Sequence, residues 1–386
     1  MKTDFDTFIN RSNTNCTKYD GLERVFGVKN ALPLWVADMD FATPKFVLDA
    51  INEKLSQQIL GYEEISDDWF NAIIGWQKRN GLNICSSKIA YSPGVVVSLA
   101  LCVEAFSEIG DEIIVQPPVY YPFFSVIKDN GRKIIENNLI EKAGKYYIDF
   151  DDLKSKITNK TKMIFLCSPH NPIGRIWSPE ELNELGQIAS KFGIKIISDE
   201  IHSDLVFEPF CSMAKFDQFQ DLVMILNSPS KTFNLAGISS SYVISNNKKM
   251  LNDFKKVQKA KGLHANSFSY ISTIAAYQNG SDWLANLLNY LTDNFHAVDD
   301  FFSENLPQIN AKQPNATYLM WLDFKQTKLN NSQIVDILLN DAKVALNDGR
   351  TFGQNGEGFM RMNVALQRSR LIEGLDKIAT SLKFKI

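Results

Sequence analysis

The sequence predicts an α/β protein, with a mostly parallel sheet flanked by helices and a second, smaller α+β part. Two observations carry this. Through the middle of the chain, short apolar runs alternate with segments of helical period, as strands joined by crossover helices do. Toward both ends the alternation stops, and beyond about residue 280 helical stretches surround one strand-like run, Ala316–Phe324. The 386 residues suffice for a large core and two domains. The pattern sets the large domain at 45–280 and assembles the small one from 1–44 and 281–386.

Taken in order, residues 1–44 are rich in turn formers, with Leu34-Trp35-Val36-Ala37 as a short apolar run. A helix is expected after Ser92-Pro-Gly94, where Val96, Leu99, Ala100, Val103 and Phe106 share one face and Gly110 follows the end. Five strand-like runs come next: Glu112–Val115, Lys133–Glu136, Met163–Cys167, Ile194–Ser198 and Val223–Leu226. Between the third and fourth, Ser178-Pro-Glu-Glu181 offers a Ser cap, Pro at the first helical position and Glu at the third. Leu182, Leu185 and Ile188-Ala189 then recur at helical spacing until Gly193 stops the element. There is no internal repeat and no low-complexity linker.

Composition narrows the function classes. The chain is 45% hydrophobic and 22% charged, with a formal net charge of −3, ordinary for a globular protein. That balance gives no reason to expect nucleic acid as a partner. The lysines are scattered, without a polybasic membrane patch. No window reaches the roughly 18 to 20 apolar residues of a membrane span, and the polar start lacks the apolar stretch of a secretory signal. Five cysteines, odd in number and widely spaced, make a disulfide framework improbable. A cytoplasmic protein is expected.

In a parallel sheet, ligands bind beyond the carboxyl ends of the strands. Each expected strand leads into polar residues at that edge. Met163–Cys167 leads into Ser168-Pro-His-Asn171-Pro-Ile-Gly174, and Ile194–Ser198 into Asp199-Glu-Ile-His202. Val223–Leu226 leads into Asn227-Ser228-Pro-Ser230-Lys231, and Glu112–Val115 into Gln116-Pro-Pro-Val-Tyr120-Tyr121. An amide, a carboxylate, an imidazole, an amine and two aromatic rings would converge there. Each has a plainer reading: Asn171 as a turn starter, Asp199 as a helix cap, His202 as a satisfied interior histidine, Tyr120 as packing, and Lys231 as one more solvated lysine. Cys167 and His170 have metal-like spacing, but no second pair completes a tetrahedral site. Ser228-x-x-Lys231 matches one motif of the penicillin-binding enzymes, and Ser245-Asn-Asn247 matches another, but no Lys-Thr-Gly follows.

Together these segments resemble the fold-type I pyridoxal-phosphate enzymes of the class I/II aminotransferase group. The resemblance spans nearly the whole chain, through Ser92-Pro-Gly94, Pro118-Val-Tyr120, His170-Asn-Pro-Ile-Gly174, Asp199-Glu-Ile-His202, Ser228-Pro-Ser-Lys231-Thr-Phe-Asn-Leu-Ala-Gly237 and Phe359-Met-Arg361-Met-Asn363. It implies a large domain with a mostly parallel seven-stranded sheet and a smaller α+β domain. It also implies that Lys231 carries pyridoxal 5'-phosphate as a Schiff base and moves protons at the substrate Cα. Asp199 would hold the pyridine nitrogen protonated. Asn171 would meet the phenolic oxygen, Tyr120 would stack on the ring, and His202 would lie beside it. Backbone N–H groups of Gly94, Val95 and Val96, with Ser228 and Ser230, would hold the phosphate. Arg361 would take the substrate carboxylate in a planar two-pronged grip. Tyr62 would reach the phosphate of a neighbouring subunit, which makes a homodimer the expected assembly.

Two departures point to one branch. His202 stands where many aminotransferases have Tyr, and Ser239 stands where many have a phosphate-binding Arg. Both resemble the carbon–sulfur β-lyases, the MalY/PatB-like cystathionine β-lyases. So does Leu32-Pro-Leu-Trp-Val-Ala-Asp-Met-Asp-Phe41, which adds Trp35 and Ala37 as expected substrate neighbours, although core packing would equally explain Trp35. Thr17-Lys-Tyr-Asp20 departs from the branch pattern only in Tyr19, where Trp is common. The implied reaction is α,β-elimination of cystathionine or a cysteine S-conjugate to pyruvate, ammonia and a thiol. Transamination of an aromatic or histidinol-phosphate-like substrate starts from the same Cα carbanion and is the alternative. A non-catalytic binding protein is a third reading, disfavoured by the joint presence of Lys231, Asp199 and Arg361. Gly353–Gly358 looks superficially like a phosphate loop but lacks the strand–turn–helix context.

Overall fold

The computed structural model describes residues 3–386. Its centre is a sheet of β1 (Ile89–Ser92), β2 (Glu112–Val115), β3 (Lys133–Glu136), β4 (Thr161–Cys167), β5 (Lys195–Asp199), β6 (Val223–Asn227) and β7 (Ser241–Ile244). Across the seven-stranded sheet the order is β1-β7-β6-β5-β4-β2-β3. The five strands read from the sequence are β2 to β6, and all of their pairings are parallel. β7 runs antiparallel to both β1 and β6.

The inner strands read as unbroken apolar runs because both faces of the sheet are covered. On one face Ile114, Ile164, Leu166, Ile196 and Ile225 join a core with Leu182 and Leu185. On the other, Ile113, Val115, Phe165, Ile197 and Met224 pack with Leu99 and Phe254. The helices concerned are α1 (Asp67–Arg79), α2 (Val95–Phe106), α3 (Pro179–Phe192) and α4 (Lys248–Ala260). α3 begins with the expected reciprocal cap, in which the Glu181 N–H donates to Ser178 Oγ and the Ser178 N–H to Glu181 Oε2. It ends at Gly193, whose φ of 68° needs glycine's freedom.

Three expectations are corrected. Two of the seven expected strands, β1 and β7, have no counterpart among the apolar runs read from the sequence; β7 opens on Ser241, whose hydroxyl donates to the Ser92 carbonyl. The face expected on α2 is buried at Leu99, Val103 and Phe106 but not at Val96, in the first turn. α2 lies between the sheet and α4, so it is buried through Val95, Leu99, Leu101, Cys102, Val103 and Phe106, while Val96 is 39% exposed. The strand expected at Ala316–Phe324 is shorter, β8 (Leu319–Asp323).

β8 belongs to a three-stranded sheet with β9 (Asn347–Asp348) and β10 (Phe359–Asn363), in the order β8-β10-β9 with antiparallel pairing. Long helices α5 (Ser281–Asn305) and α6 (Arg368–Leu382) pack beside it. Leu32–Pro33 pairs in parallel with Val344–Ala345. That pairing brings the amino-terminal segment, and with it residues 34–41, over the carboxyl edge of the large sheet.

Candidate active site

The carboxyl ends of β4, β5 and β6 open onto one cavity of about 290 Å³. Asn171 follows β4, Asp199 ends β5 with His202 just beyond, and Ser230-Lys231 follow β6. Tyr120 closes one side and Ala37 another, while Gly94, Val95 and Val96 form the wall where α2 begins. Of the sequence-expected residues, Lys231, Asp199, Asn171, Tyr120, His202, Gly94, Val95, Val96, Ser230 and Ala37 therefore share a single cavity.

Burial sets the protonation of the group. Lys231 Nζ donates to the Ala37 carbonyl at 2.6 Å. Desolvation pulls its pKa down to about 8, against the opposing pull of the Asp38 carboxylate. Asp199 is pushed up to about 7 by the same cause, and its one hydrogen bond comes from the Ile201 N–H at 3.1 Å. Among the described residues it makes no ion pair, and the Lys231 ammonium opposes the shift only weakly. His202 is brought down to about 3 by burial, so its ring is neutral, and Nδ1 has no partner. Its ring meets that of Tyr318 edge-on at 6.1 Å.

The opposite wall has the chemistry to receive an anion. α2 has Gly94 as its cap residue and no side chain capping its first turn. The orphan N–H groups of that turn, with the helix dipole behind them, favour negative charge. Ser230, Ser239 and Ser240 line the same region. Ser239 takes a left-handed φ of 56°, and its carbonyl accepts from Tyr91 Oη at 3.2 Å.

Arg361, on β10, is buried beside Asn171. Its guanidinium donates to Asn171 Oδ1 at 3.1 Å, the Trp35 carbonyl at 2.8 Å and Asn347 Oδ1 at 2.6 Å, and lies 4.9 Å over the Phe352 ring. Every partner is neutral, and Nε has none. Burial lowers its pKa to about 10, which still leaves it charged at neutral pH. An unpaired buried cation is costly, and a ligand carboxylate would relieve it.

Three expected residues stand elsewhere. Ser228 does not line the cavity; its hydroxyl donates to the Ser240 carbonyl and accepts from the Ser230 N–H. The Trp35 side chain packs edge-on against Phe26 at 5.1 Å and donates to the Lys18 carbonyl, so only its own carbonyl approaches the site. Tyr62 is 107% exposed and lies on no wall of this cavity. Sequence reasoning missed the supports. Asn363 Nδ2 donates to the carbonyls of Val36 and Asp38, both at 2.6 Å, and Asn234 binds Met39 and Phe41. Lys18 and Arg11 pair with Asp40 beneath the same segment. Tyr318 Oη donates to the Ala37 carbonyl at 2.9 Å.

With that geometry in place, comparison with known proteins is informative. Residues 29–378 match the family model described as aminotransferase class I and II. Cystathionine beta-lyase PatB of Bacillus subtilis (strain 168) is 40% identical, over 98% of this chain and 99% of its own length. Cystalysin from Treponema denticola, solved with a pyridoxal 5'-phosphate cofactor, superposes with a TM-score of 0.96 at 33% identity over 100% of both chains. The PLP-bound C–S lyase from Staphylococcus hominis superposes at 0.92 with 34% identity, covering 99% of this chain and 98% of that one.

Proposed function

The chain belongs to the class I and II aminotransferase family, and from that premise we propose that it is a pyridoxal-phosphate-dependent carbon–sulfur β-lyase acting on cystathionine or a similar cysteine thioether. The observation that carries this reading is that the Lys231 amine and the buried Asp199 carboxylate line one cavity. The residues fit the cofactor point by point: an amine for its carbonyl, a lone carboxylate for its ring nitrogen, and an uncapped helix start for its phosphate. Because Ser239 replaces the usual arginine, the phosphate would rest on backbone N–H groups and Ser230. Bound there, pyridoxal phosphate supplies an electron sink for negative charge at the substrate Cα.

The chain's own residues do the rest. Arg361 takes the α-carboxylate in a two-pronged, charge-assisted grip and fixes the Cα–H bond relative to Lys231. Lys231, its pKa lowered by burial to about 8, acts as the base and removes that proton. Asp199 holds a proton on the ring nitrogen, Tyr120 covers the ring, and neutral His202 adds no competing charge. The Cβ–S bond then breaks with its electron pair leaving on sulfur, which becomes a thiol on protonation. Water hydrolyses the remaining three-carbon enamine to pyruvate and ammonia.

Several further readings belong to this proposal. The working unit is a homodimer in which Tyr62 reaches the neighbouring site; exposed Leu55, Ile59, Leu60 and Tyr62 support it. Residues 45–280 form the cofactor-binding domain, with 1–44 and 281–386 as the small domain. The protein works in the cytoplasm, and no helix among the described residues is long and apolar enough to cross a membrane. The test of function is incubation of the purified enzyme with cystathionine and no keto acid. Pyruvate and free thiol in equal amounts support the lyase; amino transfer that needs a keto acid and releases no thiol overturns it.

A further inference from the structure

We infer that Thr232 and Asp204 form a brace that fixes the Lys231 turn against the Asp199 turn, so both are positioning residues for proton transfer at Cα. This rests on the cofactor reading above. Asp199 and Lys231 are carried by separate turns beyond the sheet. The β5–β6 register ends at Asp199 opposite Leu226, with a last backbone bond from the Glu200 N–H to the Leu226 carbonyl. Past that point two side-chain bonds join the turns. Asn227 Nδ2 donates to Ser203 Oγ at 3.0 Å at the root of the lysine turn. Thr232 Oγ1 donates to Asp204 Oδ2 at 2.8 Å, one residue from the lysine itself.

Asp204 is an unusual choice for a purely structural acceptor. It is buried, and burial raises its pKa against the opposing pull of its hydrogen bonds and of the Arg79 charge. It is held by neutral donors: both oxygens meet Trp76 Nε1 of α1 at 3.0 Å, and Thr232 supplies the remaining bond. Arg79 stacks on the far side, 4.2 Å over the Trp76 ring. Keeping a carboxylate there is costly, but its bond to Thr232 is charge-assisted and stronger than a neutral one. The bond also resists any tilt of residue 232 that would swing the long Lys231 side chain. A misplacement of about 1 Å at a reacting group can lower a rate on the order of a hundred-fold.

The test uses holoenzyme of wild type, T232V, T232S and D204N. Three quantities are read: kcat and KM on cystathionine, the pH midpoint of the visible absorbance of the lysine–cofactor linkage, and Tm as a folding control. T232V keeps the shape and removes the donor. Its kcat is expected to fall about ten- to a hundred-fold with KM within about two-fold, and its absorbance midpoint to move. T232S restores the donor and should bring both back to within about two-fold of wild type. D204N weakens the acceptor and should move both quantities the same way as T232V, which keeps the test decisive if T232V folds poorly. A T232V enzyme with wild-type kcat and midpoint overturns the brace, as does a T232S enzyme as impaired as T232V. A loss confined to KM also overturns it. If wild type shows no linkage absorbance, the cofactor reading itself fails and the brace falls with it.

Discussion

Replacing Arg361 by Lys probes the substrate's grip most selectively. The native guanidinium is planar, sits over Phe352 at 4.9 Å, and is fixed by Asn171, Trp35 and Asn347 at 3.1, 2.8 and 2.6 Å. Those neutral acceptors hold its plane while leaving the positive charge for a carboxylate. Lysine keeps the charge but offers one point in place of a fork. Loss of one charge-assisted hydrogen bond is worth about 1.5–3 kcal/mol. That corresponds to a rise in KM of roughly ten- to a hundred-and-fifty-fold for cystathionine. The contact exists before and during proton removal, so kcat should stay within about three-fold. Steady-state thiol release, followed across substrate concentrations spanning both KM values, separates the two effects. An unchanged KM, or a loss carried by kcat alone, would refute the carboxylate role.

Asp199→Asn in the cofactor-free protein has a sign that follows from burial. The folded-state pKa is raised from its ordinary 3.8 to about 7. The group's stability contribution is therefore full below about pH 4 and is lost as pH rises to about 7, a difference on the order of 4 kcal/mol. The variant should melt higher than wild type at pH 8 and equally at pH 4; an equal gain at both would show that charge is not the cause. Asn363→Ala leaves the Val36 carbonyl unpaired and the Asp38 carbonyl with only the longer bond from Lys18 Nζ at 3.3 Å. It should cost about 2–4 kcal/mol in denaturant unfolding and raise KM, and a variant of native stability would remove Asn363 from its supporting role. Tyr62→Phe should leave a sedimenting dimer that releases cofactor more readily on dilution, whereas a fully active monomeric wild type would contradict the shared site.

The residues legible in the sequence were those whose neighbours along the chain explain them. Parallel strands place their following polar residues on one edge, so the sequence alone gathers Asn171, Asp199 and Lys231 there. The Ser178–Glu181 cap was legible because both partners lie within one turn. What stayed hidden depends on long-range contact. Asn363 and Asn234 hold a segment more than 190 residues away in sequence, and no spacing rule links them. Trp35 was legible as a residue but not as a direction: its ring turns to the core and its carbonyl to Arg361. β1, with Ala90 and Ser92 among its four residues, and β7, which opens on the last residue of Ser239-Ser240-Ser241, lack the unbroken apolar run that marks β2 to β6. Val96 shares a helical face with Leu99 and Val103 yet is exposed, because it stands in the first turn of α2, where the helix opens onto the cavity, and periodicity does not show where a helix leaves the core.

The most direct test of the central claim is chemical trapping of the cofactor. Purified holoenzyme is reduced with borohydride, digested, and the modified peptide mapped by mass spectrometry. The expected result is a single pyridoxyl adduct on Lys231, absent from Lys231→Ala protein, whose activity is severely reduced. An adduct on any other lysine, or one that persists in Lys231→Ala, would contradict the assignment.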